Sequence, residues 1–309
     1  MMELRRLRLL HELARRGTVA AVAEALDYSP SSVSVQLSEL EREAGTQLLR
    51  KVGRTLQLTP AGHRLADHAA QALQQDEAVR AELASLSDAP RGRLRLAFLQ
   101  TPALALLPGT LATLADAAPD LRVEVVQYET APGIADLRSR EVDLVVGSEY
   151  DVTPVPRHHD VHREDLLREA VHLVVPVDHP LAATEDPIPL AAVEHAAWAA
   201  GKPGTGHAAA VDHLCNRLGN FAPDIHHRTD DGLILRALVA SGQAVTILPV
   251  LIATATPQVA ARPIAEGEVE RTIFTAARTA AARSPAILAV RKALAAAAAN
   301  QSVIGQSTR

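Results

Sequence analysis

The chain has 309 residues, 48% of them hydrophobic, a formal net charge of −5 and a single cysteine, Cys215. That length suits two or three domains with substantial cores and excludes a disordered tail, while a lone cysteine excludes an internal disulfide and cysteine-rich zinc chemistry. Seven aromatic residues are too few for stacking on single-stranded bases, and the absence of a secretory signal or a run of about 20 apolar residues leads to the expectation of a cytoplasmic protein with no membrane partner.

Charge is unevenly spread. Residues 1–60 hold nine Lys/Arg against seven Asp/Glu, whereas the remainder is acidic, with 22 against 29. A basic module on an acidic body is the pattern of a small nucleic-acid binder joined to something else.

Leu4, Leu7, Leu10 and Leu13 predict an amphipathic first helix closed by Gly17. From Thr18 to Ala44 two apolar stripes follow: Val19, Val22, Ala23 and Leu26, then Val33, Leu37, Leu40 and Ala44. The polar break Asp27-Tyr28-Ser29 between them predicts a helix-turn-helix, with Ser29 as N-cap and Pro30 at the first position of the second helix. That helix then presents Ser29, Ser31, Ser32, Ser34, Val35 and Gln36 around its start, a small, hydroxyl-rich surface suited to a DNA major groove. Serines also crowd helix starts simply because they cap them.

Gly45 stops the helix, and Leu48–Lys51 and Thr55–Leu58 read as two short strands turning at Val52-Gly53-Arg54. This hairpin reads as a wing carrying Arg50, Lys51 and Arg54 beside a duplex. After Thr59-Pro60, a long helix bears Leu65, Ala69, Ala72, Asp76, Val79, Leu83 and Leu86 at heptad spacing, which implies pairing of two copies; an Ala-rich seam packed on its own wing is the other reading.

The stretch LRRLRLLHELARRGTVAAVAEALDYSPSSVSVQLSELEREAGTQLLRKVGRTLQLTPAG, Leu4 to Gly62, resembles the LysR-type transcriptional regulators, the match including Ser34-x-Gln36-Leu37, Leu48-Leu49 and Leu58-Thr59-x-Ala61-Gly62. Two positions depart from the family: Val35 stands where members usually have Arg, and Pro30-Ser31 where they have Gln-Pro. Val35 fits a thymine methyl and not a phosphate or guanine.

Beyond the linker around Ser87–Gly92, strands and helices alternate: strands at Arg93–Leu99, Arg122–Tyr128 and Val142–Gly147, helices at Thr101–Ala118 and Ala131–Ser139. Such alternation implies a parallel sheet covered by helices. Strands are next expected at Glu169–Val177, Leu190–Val193, Trp198–Ala200, Ile225–Arg228 and Ala244–Leu248, with helices at Ala208–Leu218 and Gly232–Ser241. Near Ala260–Ile264 the chain passes back, and Glu270–Ala277 and the helix Ser284–Ala299 rejoin the first set. The pattern, and the resemblance with it, imply two α/β lobes like those of periplasmic solute-binding proteins, with a ligand cleft between them.

Residues just beyond strand ends, Gln100 and Thr101, and Ser148 and Glu149, are expected at that cleft, together with Gly201, Lys202 and Thr205 of a glycine-rich loop. Lys202 suits a carboxylate and Glu149 an amine; ordinary capping and turn roles compete for each. His158-His159-x-x-His162 and His226-His227 lie in contexts that argue against metal, His207 reads as a surface residue, and Cys215 as a core thiol. Motifs GxSxG, GxxxxGK[ST] and GxGxxG are missing, so no catalytic residue and no cofactor is assigned.

The expected organisation is a winged helix-turn-helix over 1–60, a linker and dimerisation helix over 61–88, and an effector domain over 92–299. Lobe I comprises 92–162 and 264–299, lobe II comprises 163–263, and residues 300–309 form an unstructured tail. The expected function is transcriptional regulation through double-stranded DNA, modulated by a small-molecule effector, in a dimer or tetramer of the chain. Two alternatives remain: a cytoplasmic small-molecule-binding protein with a vestigial DNA module, and a metal-dependent hydrolase on the α/β lobes.

Overall fold

The computed structural model describes residues 2–52, 55–86, 89–253 and 256–306. They form two compact units, residues 1–87 and 88–309.

In the first unit α1 (Leu4–Arg16) precedes α2 (Val19–Leu26) and α3 (Pro30–Ala44), then β1 (Leu49–Val52) pairs antiparallel with β2 (Thr55–Leu58) and α4 (Pro60–Ser85) follows. Local chemistry sets these boundaries. Thr18 caps α2, accepting from the Ala21 N–H, and Asp27 ends it in the left-handed region at φ 56°. Ser29 caps α3 by accepting from the Ser32 N–H at 3.1 Å, with Pro30 next, as the sequence predicts. Leu10, Leu13, Val22, Val33, Leu37, Leu40 and Leu48 make the core, which Ala66 and Ala69 of α4 close. The heptad is thus divided: Ala69 packs into the core of its own module, on α1 more than on the wing, while Val79 and Leu83 of α4 and Leu86 just past its end are exposed.

Gly62 is placed by close approach. A Cβ there would lie 2.2 Å from the Leu48 carbonyl oxygen, so only glycine lets α4 begin against β1.

In the second unit β3 (Gly92–Phe98), α5 (Gln100–Ala117), β4 (Leu121–Gln127), α6 (Thr130–Arg138) and β5 (Leu144–Tyr150) form the first half, in which β3 pairs parallel with β4 and β5. The strand β6 (Val161–Pro176) follows, then β7 (Ala197–Ala200), α7 (Gly206–Asp212), β8 (Asp224–Arg228), α8 (Gly232–Ala240), β9 (Thr246–Pro249), α9 (Val250–Ala253), β10 (Val259–Arg262), β11 (Val269–Arg278) and α10 (Pro285–Gln306). The large sheet runs β10-β6-β11-β5-β3-β4, with β9 also on β6 and a separate parallel pair β7-β8.

The alternating strands β3, β4 and β5 are parallel, as predicted, and the sheet becomes mixed beyond them. β11 lies antiparallel to both β5 and β6, because the chain crosses back once to complete the first half. β6 is also longer than the predicted Glu169–Val177. It pairs with β11 from Val161 to Val171, then with β9 and β10 from Val171 to Pro176, so one strand serves both lobes.

Side-chain alternation then builds a core on each face of each lobe. Leu96 and Phe98 face α5 and α10, whereas Ala97 turns to Ile134 and Leu137 of α6. In the second lobe Leu173 and Val175 join Trp198, Val211 and Leu214, while Val174 joins Leu235 and Val239. Cys215 is fully buried in that core, and burial pushes its thiol up to about 12.

Two further expectations are corrected. Leu190–Val193 is a 3₁₀ turn and not a strand: Leu190 and Val193, three apart, bury together behind Pro189, and the Trp198 indole N–H donates to the Val193 carbonyl. Of the tail expected over 300–309, residues 300–306 are helical, because the Ala-rich run of strong helix formers carries α10 on to Gln306 and the Gln301 amide donates to the Ala105 carbonyl, and residues 307–309 lie outside the described residues.

Candidate functional site

In the first unit, burial of Val33, Leu37 and Leu40 turns the stripe Ser31, Ser34, Val35, Ser38 and Arg42 of α3 to solvent. The helix start is open. The Ser29 hydroxyl lies 3.0 Å from that of Ser31, the Ser34 hydroxyl donates back to the Pro30 carbonyl, and Ser32 is half-buried. Gln36 leans toward α1, its Oε1 accepting from Arg6 Nε at 3.0 Å. Arg42 is paired with Glu39 at 2.6 Å.

Glu41 joins this helix to the hairpin. Its Oε1 accepts from the Leu48 and Leu49 N–H groups at 2.8 and 2.9 Å, holding the base of β1 against the last turns of α3. Arg50 and Lys51 stand exposed on β1, and Arg54 lies outside the described residues. Sequence reasoning did not single out Glu41 for this task, since an acid seven and eight residues from the N–H groups that donate to it reads as an ordinary surface charge. Arg5 adds a cation near the turn, its guanidinium 5.0 Å over the Tyr28 ring.

In the second unit a cavity of about 430 Å³ lies among the ends of β5 and β9 and the starts of α5, α6, α7 and α8. Of the predicted residues, Gln100, Thr101, Ser148, Glu149 and Thr205 line it. Gly201 and Lys202 are not in the lining: Lys202 is 68% exposed, its Nζ 3.4 Å from Asp230 Oδ2 and its N–H bonded to Oδ1 of the same carboxylate.

Glu149 lines the cavity with its charge already matched. Burial alone raises a carboxyl, yet bonds from Arg163, Arg157 and the Val155 N–H overcome that and hold it down at about 2.

The residues that sequence reasoning missed lie at the floor. Arg271 of β11, 3% exposed, donates through Nε to Glu169 Oε1 at 2.9 Å and through Nη1 to Thr101 Oγ1 at 2.7 Å. Tyr150 and His207 meet beside it edge to face, ring centroids 6.5 Å apart. His207, expected at the surface, is a correction: its Nδ1 accepts from the Gly201 N–H and its Nε2 lies 2.9 Å from the Ile247 carbonyl. Those bonds use both nitrogens of a neutral ring, and burial lowers its pKa accordingly.

Gln100 reaches across the cavity, its Oε1 accepting from the Gly232 N–H at 3.2 Å. A Cβ on Gly232 would meet Thr101 Cγ2 at 2.8 Å and Ile252 Cδ1 at 3.0 Å. The first turns of α5 and α6 have no side-chain cap, so their N–H groups and the Thr101 hydroxyl are the donors available to an anionic guest. Glu129 opposes them at the α6 start, its pKa raised by burial and then by the Asp230 carboxylate.

The other histidines are dispersed. His226 Nε2 lies 2.8 Å from Asp224 Oδ2, His162 Nδ1 lies 3.1 Å from Arg291 Nη1, and His158 and His159 precede β6. Among the described residues no three His, Cys, Asp or Glu side chains converge as a metal site.

Residues 4–63 match the family model described as "Bacterial regulatory helix-turn-helix protein, lysR family", and residues 87–299 match "LysR substrate binding domain". The chain is 28% identical over 275 residues to the transcriptional dual regulator GltC of Bacillus subtilis, spanning 88% of this chain and 89% of that one. To the Hca operon transcriptional activator HcaR of Escherichia coli it is 29% identical over 266 residues, 85% and 88% of the two chains. Among solved structures, a full-length OxyR variant from Pseudomonas aeruginosa superposes with a TM-score of 0.69 at 23% identity over 95% of both chains. CbnR in complex with its target DNA superposes with a TM-score of 0.53 at 23% identity, over 96% of this chain and 100% of that one.

Proposed function

The chain belongs to the LysR family of bacterial transcriptional regulators, and on that premise we propose how its two units divide the work. The first unit binds double-stranded DNA, and the second binds a small-molecule effector in the cavity walled by Gln100, Thr101, Ser148 and Thr205 and floored by Arg271. The observation that carries the reading is the union of an open, serine-headed helix with a cationic hairpin through Glu41.

On DNA, α3 enters the major groove by its N-terminal half, with Ser29, Ser31, Ser32, Ser34, Val35 and Gln36 nearest the bases and phosphates. Arg50, Lys51 and Arg54 neutralise phosphate alongside it. The exposed Val79 and Leu83 of α4, with Leu86 at its C-terminal cap, offer an apolar seam to a second copy, so that two modules meet two half-sites.

In the cavity, the uncapped helix starts and Thr101 favour an anionic group, and the apolar walls Leu99, Pro132, Leu235 and Leu248 cover the rest of the guest. Ligand binding shifts DNA affinity only through a difference in affinity for two lobe arrangements, and β6, which runs through both lobes, joins them. The relatives are transcriptional regulators, and no described helix is long and apolar enough to cross a membrane; we place the protein in the cytoplasm on those grounds.

Footprinting the full-length protein on the intergenic DNA beside its own gene, with and without candidate metabolites, tests this. The expected result is a protected segment whose length or affinity changes with one metabolite; a footprint indifferent to every metabolite that fills the cavity overturns the sensing half.

A further inference from the structure

We infer that Val35 is a specificity residue that reads the C5-methyl of thymine, making this module a thymine reader where an arginine would have read guanine or phosphate. The inference rests on α3 being the DNA-reading helix. Val35 is 59% exposed at the centre of the outward stripe, flanked by Ser31, Ser34 and Ser38. Folding gains nothing from it there: it is outside the core, and a β-branched residue is a weaker helix former than Ala, Gln or Lys.

The rest of the stripe cannot take over base reading by charge or by paired amide bonds. Arg42 lies toward the far end of the helix and is paired with Glu39. Gln36 has its Oε1 held by Arg6 Nε, which draws the amide toward α1 and away from the two-bond contact with adenine. Ser34 donates to Pro30, and Ser29 is committed to the Ser32 N–H and Ser31. The remaining serine hydroxyls can bond any base, whereas the two valine methyls are selective, since the apolar group that a base offers in the major groove is the thymine methyl.

The test uses the full-length protein to select duplexes from a randomised pool, then remakes the selected duplex with deoxyuridine replacing each thymidine in turn, which removes that methyl alone. Affinities are measured by fluorescence anisotropy for the wild type, Val35→Ala and Val35→Ile. At one thymine position the wild type is expected to bind the deoxyuridine duplex about fourfold more weakly, as for loss of one buried methyl. Val35→Ala binds the thymine duplex weaker by a similar factor and no longer distinguishes the two bases there, while Val35→Ile still does. If no single replacement affects the wild type, or Val35→Ala stays equally sensitive, the inference is overturned. Selection of no duplex at all would instead bring down the DNA-binding reading beneath it.

Discussion

Arg271 and Glu169 stand directly opposite one another on neighbouring antiparallel strands, both almost fully buried, with two guanidinium nitrogens on one carboxylate oxygen. Glu169 also takes the Leu251 N–H, and Arg271 reaches Thr101, so the pair ties the cavity floor to both lobes. Arg271→Ala leaves an uncompensated buried carboxylate and is expected to cost about 3–5 kcal/mol. The double variant Arg271→Met, Glu169→Gln is expected to recover most of that loss. Urea unfolding of the three proteins checks it; equal destabilisation of single and double variants would contradict the pairing.

Glu149 gives the second unit an acid-sensitive support. Its folded-state pKa, about 2, lies below the ordinary value of 4.5, so its contribution is fully present above pH 4.5 and is lost as pH falls toward 2. The melting-temperature gap between the wild type and Glu149→Gln is therefore expected to be widest above pH 4.5 and to close on acidification. A gap that holds constant from pH 7 to 3 would refute the assignment.

Gly62→Ala forces a methyl onto the Leu48 carbonyl, which is backbone and has little room to yield. The expected loss is about 1–3 kcal/mol in the first unit, with DNA affinity falling alongside it. Hydrogen exchange resolved by segment should show weakened protection in residues 4–62 and unchanged protection in the β-sheet of the second unit.

Replacing Arg50 and Lys51 by Ala should weaken binding to every duplex by a similar factor and lower the slope of log affinity against log salt by about one for each phosphate that is no longer neutralised. Anisotropy titrations across a salt series measure both. A changed affinity with an unchanged slope would mean that these residues act through folding and not through phosphate.

Cys215 should be inert. With its thiol buried and its pKa pushed up to about 12, a thiol reagent is expected to react with it only after unfolding. Rapid labelling of the native protein would contradict the packing of the second lobe.

The helix pair was legible in the sequence because its signals are local: Ser29 caps α3 three residues from the N–H it accepts, Pro30 opens that helix, and the stripes of α2 and α3 repeat every turn. The cavity was half legible. Gln100, Thr101, Ser148 and Thr205 follow from strand ends and helix starts. Arg271 does not, since its partners lie 102 and 170 residues away and are brought to it by sheet register. Lys202 looked available to a ligand for the converse reason: Asp230, which occupies it, stands 28 residues further on. His207 was misplaced because a lone imidazole carries no pattern, and only the folded loop shows both of its nitrogens in use.

At Gly232 the two halves of the sensor touch through bare backbone, one N–H meeting the Gln100 amide where any side chain would strike Thr101. A single added methyl there would act as a wedge, propping the jaws ajar with no guest inside. The resting posture of the sensor is thus written into an atom that is missing, at a position that is itself part of the cavity wall.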